Sequence, residues 1–120
     1  MAHDREVYVD EADLGAIVSW LEGLLGPLTY VDSGRNVILH AREGRVAVIL
    51  TPGMARGPFT SVCLRGELSW PTDAALAREA AAALGVEVRC DPGELPHHGS
   101  DTFLRIRGTE EERFDWLDEA

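Results

Sequence analysis

Apolar residues recur at helical spacing in the first third of the chain. They are separated by three or four positions, and Gly26 and Pro27 follow directly after the last of them. Such a stripe predicts an amphipathic helix, and the Gly-Pro pair predicts its end. The residues of the stripe are Leu14, Ile17, Val18, Leu21 and Leu25.

A second helix is predicted between Pro71 and Gly85. Thr72 can cap its first turn, as can Ser69, and Asp73 places negative charge at the positive end of the helix dipole. Most of the following residues are alanine, which has the highest helix propensity and lets a helix lie close to a sheet. Gly85 can adopt the left-handed conformation that ends a helix.

Six runs of alternating or continuous apolar residues predict β-strands. Four of them lie between the helices, at 28–32, 36–42, 45–51 and 59–65, and two follow the second helix, at 86–90 and 102–107. A shorter run at 7–9 suggests an edge strand. The order predicts one α+β domain over residues 1–120, with a largely antiparallel sheet of five to six strands and two main helices packed on one face.

The C-terminal residues allow two interpretations. Thr109 and Glu112 have the spacing of a capping box ahead of Phe114, Trp116 and Leu117, which predicts a short C-terminal helix. The same residues are also compatible with a frayed tail. Aromatic side chains among carboxylates belong either to a docking helix or to a partner-facing motif, so a candidate protein-binding site consists of Glu111, Phe114, Asp115, Trp116 and Leu117.

The net charge of −10 is concentrated at the two ends of the chain. Residues 1–13 carry −4 and residues 109–120 carry −5, so the region between them is nearly neutral. No clustered positive surface is available for phosphate contacts, and we therefore expect no nucleic-acid binding. The acidic ends suit a basic protein partner, although charge runs of this kind also serve solubility alone.

Cellular origin and location can be predicted from what the composition lacks. All basic residues except histidine are arginine, and alanine and glycine are frequent, a coding bias that indicates a bacterial source. The sequence has no apolar run long enough to span a membrane, and its first residues do not resemble a signal peptide. We expect a cytoplasmic protein that does not bind membranes.

Arginines form a second candidate site, for anions. Several of them alternate out of phase with the apolar positions of their strands, which places them on the sheet face that the helices leave uncovered. Charge segregation further suggests that the acidic C-terminal segment folds back on that face; solvated cross-strand ion pairs are the alternative. The candidate anion-binding residues are Arg56, Arg65, Arg105 and Arg107.

Signals for metal binding and covalent catalysis are weak. Cys90, His97 and His98 are the weak metal candidates, in a stretch that also contains Asp91, Glu94 and Asp101, but they lack any zinc-type spacing. No nucleophile elbow or phosphate-binding loop is present. We expect no catalytic residue, metal or other cofactor.

These observations favour a non-enzymatic bacterial protein-binding module with an unknown partner, basic or otherwise. Small acidic α+β domains of this general type are similar in class to the immunity proteins that neutralise toxins, and a regulatory role is equally open. One alternative is a small-molecule-binding, anion-binding or enzymatic domain that uses the arginine-bearing face or the 90–101 loop. Another is a homodimer that covers the open sheet face by self-association.

Overall fold

The computed structural model describes residues 3–11, 13–33, 36–41, 45–53, 58–93 and 102–116. Two helices and eight strands make up this part of the chain. In chain order they are β1 (His3–Val9), α1 (Leu14–Leu25), β2 (Leu28–Ser33), β3 (Val37–Ala41), β4 (Val46–Thr51), β5 (Thr60–Gly66), α2 (Asp73–Leu84), β6 (Val88–Cys90), β7 (Thr102–Arg107) and β8 (Glu110–Asp115).

All eight strands belong to one antiparallel sheet with the order β2-β3-β4-β5-β1-β6-β7-β8. The first strand of the chain therefore lies near the middle of the sheet, paired with β5 on one side and with β6 on the other. The outermost strands are β2 and β8. A β-bulge interrupts the pairing of β2 with β3 between Tyr30 and Asp32.

Local sequence explains where both helices begin and end. Asp13 caps α1 by accepting a hydrogen bond from the backbone N–H of Gly15, and Thr72 caps α2 by accepting one from Ala75. Gly85 ends α2 with φ of 67°, a left-handed conformation that residues with a Cβ adopt only at a cost. The predicted cap of α2 is thus confirmed at Thr72, and α1 begins directly after its cap Asp13.

Alternation along the strands separates a covered sheet face from an open one. The covered face holds the aliphatic side chains that pack with both helices in a single core, among them Val48 of β4 and Leu64 of β5. Ile17 and Leu21 of α1 and Leu76 of α2 are fully buried in this core. The sequence prediction of an α+β fold with an antiparallel sheet is therefore confirmed.

Three details of the predicted fold are wrong. The sheet has eight strands where five to six were expected, and β1 is an inner strand where an edge strand was expected. Residues 110–115 form β8 where a short helix was one of the two interpretations. The chain turns back at Gly108 and Thr109, and strand pairing with β7 outweighs the local capping-box signal.

Candidate functional site

An aromatic cluster occupies the open sheet face beside β8. Trp116 lies at its centre with only 5% of its surface exposed, and its ring centroid is 5.0 Å from that of Phe103 and 5.3 Å from that of Phe59. These rings meet at steep angles, the edge-to-face geometry that aromatic pairs favour. We call the set the aromatic cluster; its members are Tyr8, Phe59, Phe103, Phe114 and Trp116.

Arg89 lies beneath the aromatic cluster and is 7% exposed. The central carbon of its guanidinium group is 4.5 Å from the ring centroid of Phe59 and 4.6 Å from those of Phe114 and Trp116. A cation among three ring faces in a site shielded from water gains a favourable cation–π interaction. Arg89 thus gives the cluster a charged centre, contributed by the short strand β6.

Glu87 links the buried arginine to the protein surface. One of its carboxylate oxygens accepts a hydrogen bond of 2.6 Å from Nε of Arg89, and the other accepts one of 2.5 Å from Nε of Arg107. Burial by itself would raise the pKa of Glu87, but the hydrogen bonds from Arg107 and Arg89 and the charges of these arginines lower it overall. Glu87 therefore stays ionised and balances the charge of Arg89.

The predicted protein-binding residues near the C-terminus are turned largely toward the protein itself. Phe114 and Trp116 belong to the aromatic cluster, and Glu111 accepts two hydrogen bonds from Arg78 of α2. Asp115 has an exposed side chain, and Leu117 lies outside the described residues. The structure gives this segment an intramolecular role, since it closes one end of the sheet.

The predicted anion-binding arginines face carboxylates. Nε of Arg65 is 3.6 Å from the carboxylate of Asp4, and Nε of Arg105 donates a 2.7 Å hydrogen bond to Glu112. Arg107 is paired with Glu87, as described above, and Arg56 lies outside the described residues. A shallow depression of about 460 Å³ has as its lining residues Arg105, Arg107, Glu110, Glu111 and Glu112. Anions entering it would meet three carboxylates beside the two guanidinium groups.

Both cysteines are free thiols that pack within the sheet. Cys90 is fully buried on the covered face, and burial raises the pKa of its thiol to about 12. Burial likewise raises the pKa of Cys63, which is half-buried on the open face. A thiol must ionise to act as a nucleophile, so neither environment activates its cysteine.

No cluster that could hold a metal ion is found among the residues that the structure describes. The described part of the 90–101 stretch ends at Gly93, so His97, His98, Glu94 and Asp101 lie outside it. The weak metal candidates of this loop stay a prediction.

The sequence did not reveal which apolar side chains are exposed. Within the described ranges, the exposed large apolar residues are Leu24, with 42% of its surface exposed, Tyr30 with 61% and Val31 with 60%. All of them fall within one short stretch, from the last turn of α1 to the middle of the edge strand β2. We call residues 24–31 the α1–β2 segment. Tyr30 and Val31 looked like ordinary strand residues, and only the position of β2 at the sheet edge explains their exposure.

Two further apolar features adjoin the α1–β2 segment. On the open face, Ile38, Ile49 and Cys63 form a cross-strand row over β3, β4 and β5, and all are half-buried. Between the helices lies an open groove of about 480 Å³, whose lining residues are Trp20, Gly23, Leu24, Glu79, Ala82 and Ala83. Leu24 connects this groove with the segment.

Comparisons of the chain with protein-family models, with characterised proteins and with solved structures find no match. Neither helix of the described chain, α1 or α2, is long and apolar enough to cross a membrane.

Proposed function

We propose that the protein is a non-enzymatic protein-binding module whose binding surface is the α1–β2 segment. The observation that carries this proposal is the grouping of Leu24, Tyr30 and Val31, the exposed large apolar residues of the described chain, in one short stretch. A single exposed apolar residue needs no explanation, but several together on a protein surface are typical of an interaction site.

The edge position of β2 supports the same surface. An edge strand has backbone N–H and C=O groups on its outer side that pair with no neighbouring strand of the sheet. Partners commonly add a strand to such an edge, where backbone hydrogen bonds give affinity and side chains give selectivity. Tyr30 and Val31 would supply the apolar contacts of this kind of pairing.

Little in the described chain favours the alternative of an anion-binding or enzymatic domain. Arg65, Arg105 and Arg107 each have a carboxylate partner, and burial raises the pKa values of both cysteines. Binding by the 90–101 loop or by Arg56 stays a prediction, because those residues lie outside the described ranges apart from residues 90–93.

An immunity-like or regulatory role in the bacterial cytoplasm is the specific form of this function that we favour. The net charge of −10 suits a basic partner, since complementary charge speeds encounter and suppresses wrong partners. A partner of this kind would bind less well as the salt concentration rises.

Affinity capture with matched variants tests the proposed surface. The full chain is immobilised and exposed to lysate of the source organism at low and at moderate salt, beside the variants Val31→Lys and Thr109→Lys. Both variants add one positive charge at an exposed position, but Thr109 lies in the turn before β8, at the other end of the sheet. Proteins retained by the native chain and by T109K but lost from V31K support the proposal. Equal retention by V31K and the native chain overturns it.

A further inference from the structure

We infer that the protein recognises an arginine or lysine side chain of its partner through Glu6, and the aliphatic residues beside that side chain through the adjoining apolar row; this inference rests on the proposed function. The apolar row is that of Ile38, Ile49 and Cys63 on the open face. Glu6 of β1 lies directly opposite Cys63 of β5, so it is the next member of the row. We call these four residues the open-face row.

The open-face row begins beside the proposed binding surface. Its first member, Ile38, pairs with residue 32 of β2, which directly follows the α1–β2 segment. Its last member, Glu6, lies in β1, four strand spacings from β2, a distance of about 19 Å at about 4.8 Å for each spacing. A partner helix of about 13 residues covers this distance at about 1.5 Å for each residue. One short segment of a partner can therefore reach from the edge of the sheet to Glu6.

Glu6 differs in its contacts from other carboxylates of the open face. Glu87 accepts hydrogen bonds from two arginines, and Glu112 accepts one from Arg105. Among the described residues, no arginine makes an ion pair with Glu6. One of its carboxylate oxygens instead accepts a 2.6 Å hydrogen bond from the hydroxyl group of Ser61. A basic side chain of a partner would give this half-buried carboxylate a countercharge.

The surroundings of Glu6 hold it in place before a partner binds. Ser61, which donates the hydrogen bond, is only 3% exposed. Tyr8, the neighbour of Glu6 on the same face of β1, packs against Trp116 with 5.4 Å between the ring centroids. Burial, followed by the charge of Glu6, raises the pKa of Tyr8 to about 12, so its hydroxyl stays protonated beside the carboxylate. A carboxylate that is already oriented loses little conformational entropy on binding.

The charge of the whole chain favours the same occupant. A net charge of −10 attracts basic proteins, and Glu6 gives this attraction a defined point of contact. Charge alone would hold any cation, whereas Ile38 and Ile49 select one that has apolar neighbours. Free arginine lacks these neighbours, so a peptide that carries them should bind more tightly.

Selection from a phage-displayed library of random peptides of about 16 residues, long enough to span the open-face row, tests the inference. The native chain is the target, and calorimetry measures the enriched peptides and free arginine against it and against Glu6→Gln and Asp4→Asn. Both variants remove one negative charge from the same face of β1, but Asp4 faces Arg65. The enriched peptides should contain arginine or lysine beside aliphatic residues. They should bind E6Q roughly 10–100-fold more weakly than the native chain and D4N.

The apolar part of the open-face row is tested with Ile49→Thr. This variant should weaken the binding of the same peptides roughly 3–10-fold, because it removes apolar contact area. Ala47→Thr is the control, since it introduces the same residue on the same face of β4, one row away. Near-UV circular dichroism and urea titration establish that each variant is folded before its affinity is compared.

The outcomes separate this inference from the function on which it rests. Enriched peptides without a basic residue, a selection that enriches no peptide, or equal losses of affinity in E6Q and D4N overturn the role of Glu6. If lysate proteins are lost from V31K but retained by E6Q, the inference fails and the proposed function stands. If V31K retains those proteins while peptide binding depends on Glu6, the proposed surface fails and the inferred site stands.

Discussion

The two edge strands, β2 and β8, differ in the charge and exposure of their side chains. β8 is charged at all but one position, and Glu111 and Glu112 form ion pairs with Arg78 and Arg105. The aromatic cluster covers the open face beside it. β2 has a single charge, and its two central side chains are more than half exposed.

This difference shows which end of the molecule is closed by the chain itself. At the β8 end, aromatic rings and carboxylates that could have served a partner are engaged by Arg89, Arg78 and Arg105. At the β2 end the apolar side chains remain available. Aromatic residues in an acidic terminal segment are therefore not sufficient evidence for a binding motif, because the same composition can complete a fold.

The largest effect is expected from removing the centre of the aromatic cluster. Trp116→Ala deletes a buried indole that contacts Phe59 and Phe103, so it should lower the free energy of unfolding by about 3–5 kcal/mol. Urea titration followed by far-UV circular dichroism measures the change. Tyr30→Ala is the control at the other edge, where an exposed ring should contribute less than about 1 kcal/mol. Equal losses in both variants would contradict the contrast between the two ends.

Removing Glu87 should have the next largest effect. Glu87→Ala takes from the buried Arg89 the carboxylate that accepts its 2.6 Å hydrogen bond, so we expect a loss of about 2–4 kcal/mol. Glu67→Ala is the control, since its 3.9 Å contact with Arg45 is exposed and should contribute at most about 0.5 kcal/mol. The same urea titration compares the two. A native-like midpoint for E87A would show that the aromatic rings alone hold Arg89.

Acid should lower the free energy of unfolding through protonation of Glu87 and Glu111, which lie at the β8 end of the sheet. The pKa of each is lowered in the folded protein from 4.5, so their ionised forms stabilise the fold above that pH. This contribution is lost as the pH falls below about 4.5 and through the lowered folded pKa. Unfolding free energies measured from pH 6 to pH 3, a range that covers this loss, should fall less steeply for Glu87→Gln than for the native chain. An unchanged slope in E87Q, or the same flattening in the control Glu67→Gln, would contradict this assignment.

The smallest effect on stability is expected at the β2 edge. Val31→Lys replaces an exposed side chain with a residue that is common on protective edges, so the free energy of unfolding should stay within about 0.5 kcal/mol of the native value. Urea titration followed by far-UV circular dichroism measures this change. A larger loss of unfolding free energy would mean that the Val31 side chain contributes to the stability of the fold.

Local signals were sufficient to predict both helices and most strands. Thr72 and Gly85 mark the start and end of α2 through their own backbone chemistry, and alternation marked Thr102–Arg107 as a strand. The central position of β1 was missed, because the apolar run at 7–9 is short and suggested an edge strand. In the structure Glu6 accepts a 2.6 Å hydrogen bond from Ser61 of β5, a contact that only the strand order creates.

The exposure of individual side chains was harder to predict than the fold. Phe114 and Trp116 looked exposed because their sequence neighbours are acidic, yet they pack around Arg89, which is distant in the sequence. Tyr30 and Val31 were predicted only as residues of a strand, and their exposure follows from the position of β2 at the edge of the sheet in the described chain. Exposure depends on which strands lie side by side, and that information is not local.

The central position of β1 also sets the order in which the chain can fold. This strand leaves the ribosome early, but its neighbours β5 and β6 are synthesised much later. The segment from α1 to β4 can form by local contacts alone, whereas β1 must wait until residues 60–66 and 88–90 have emerged. Long-range pairing of this kind is typical of domains that fold in milliseconds to seconds. During synthesis, the core residues Val7 and Val9 therefore stay without their neighbours in the sheet until β5 and β6 have emerged.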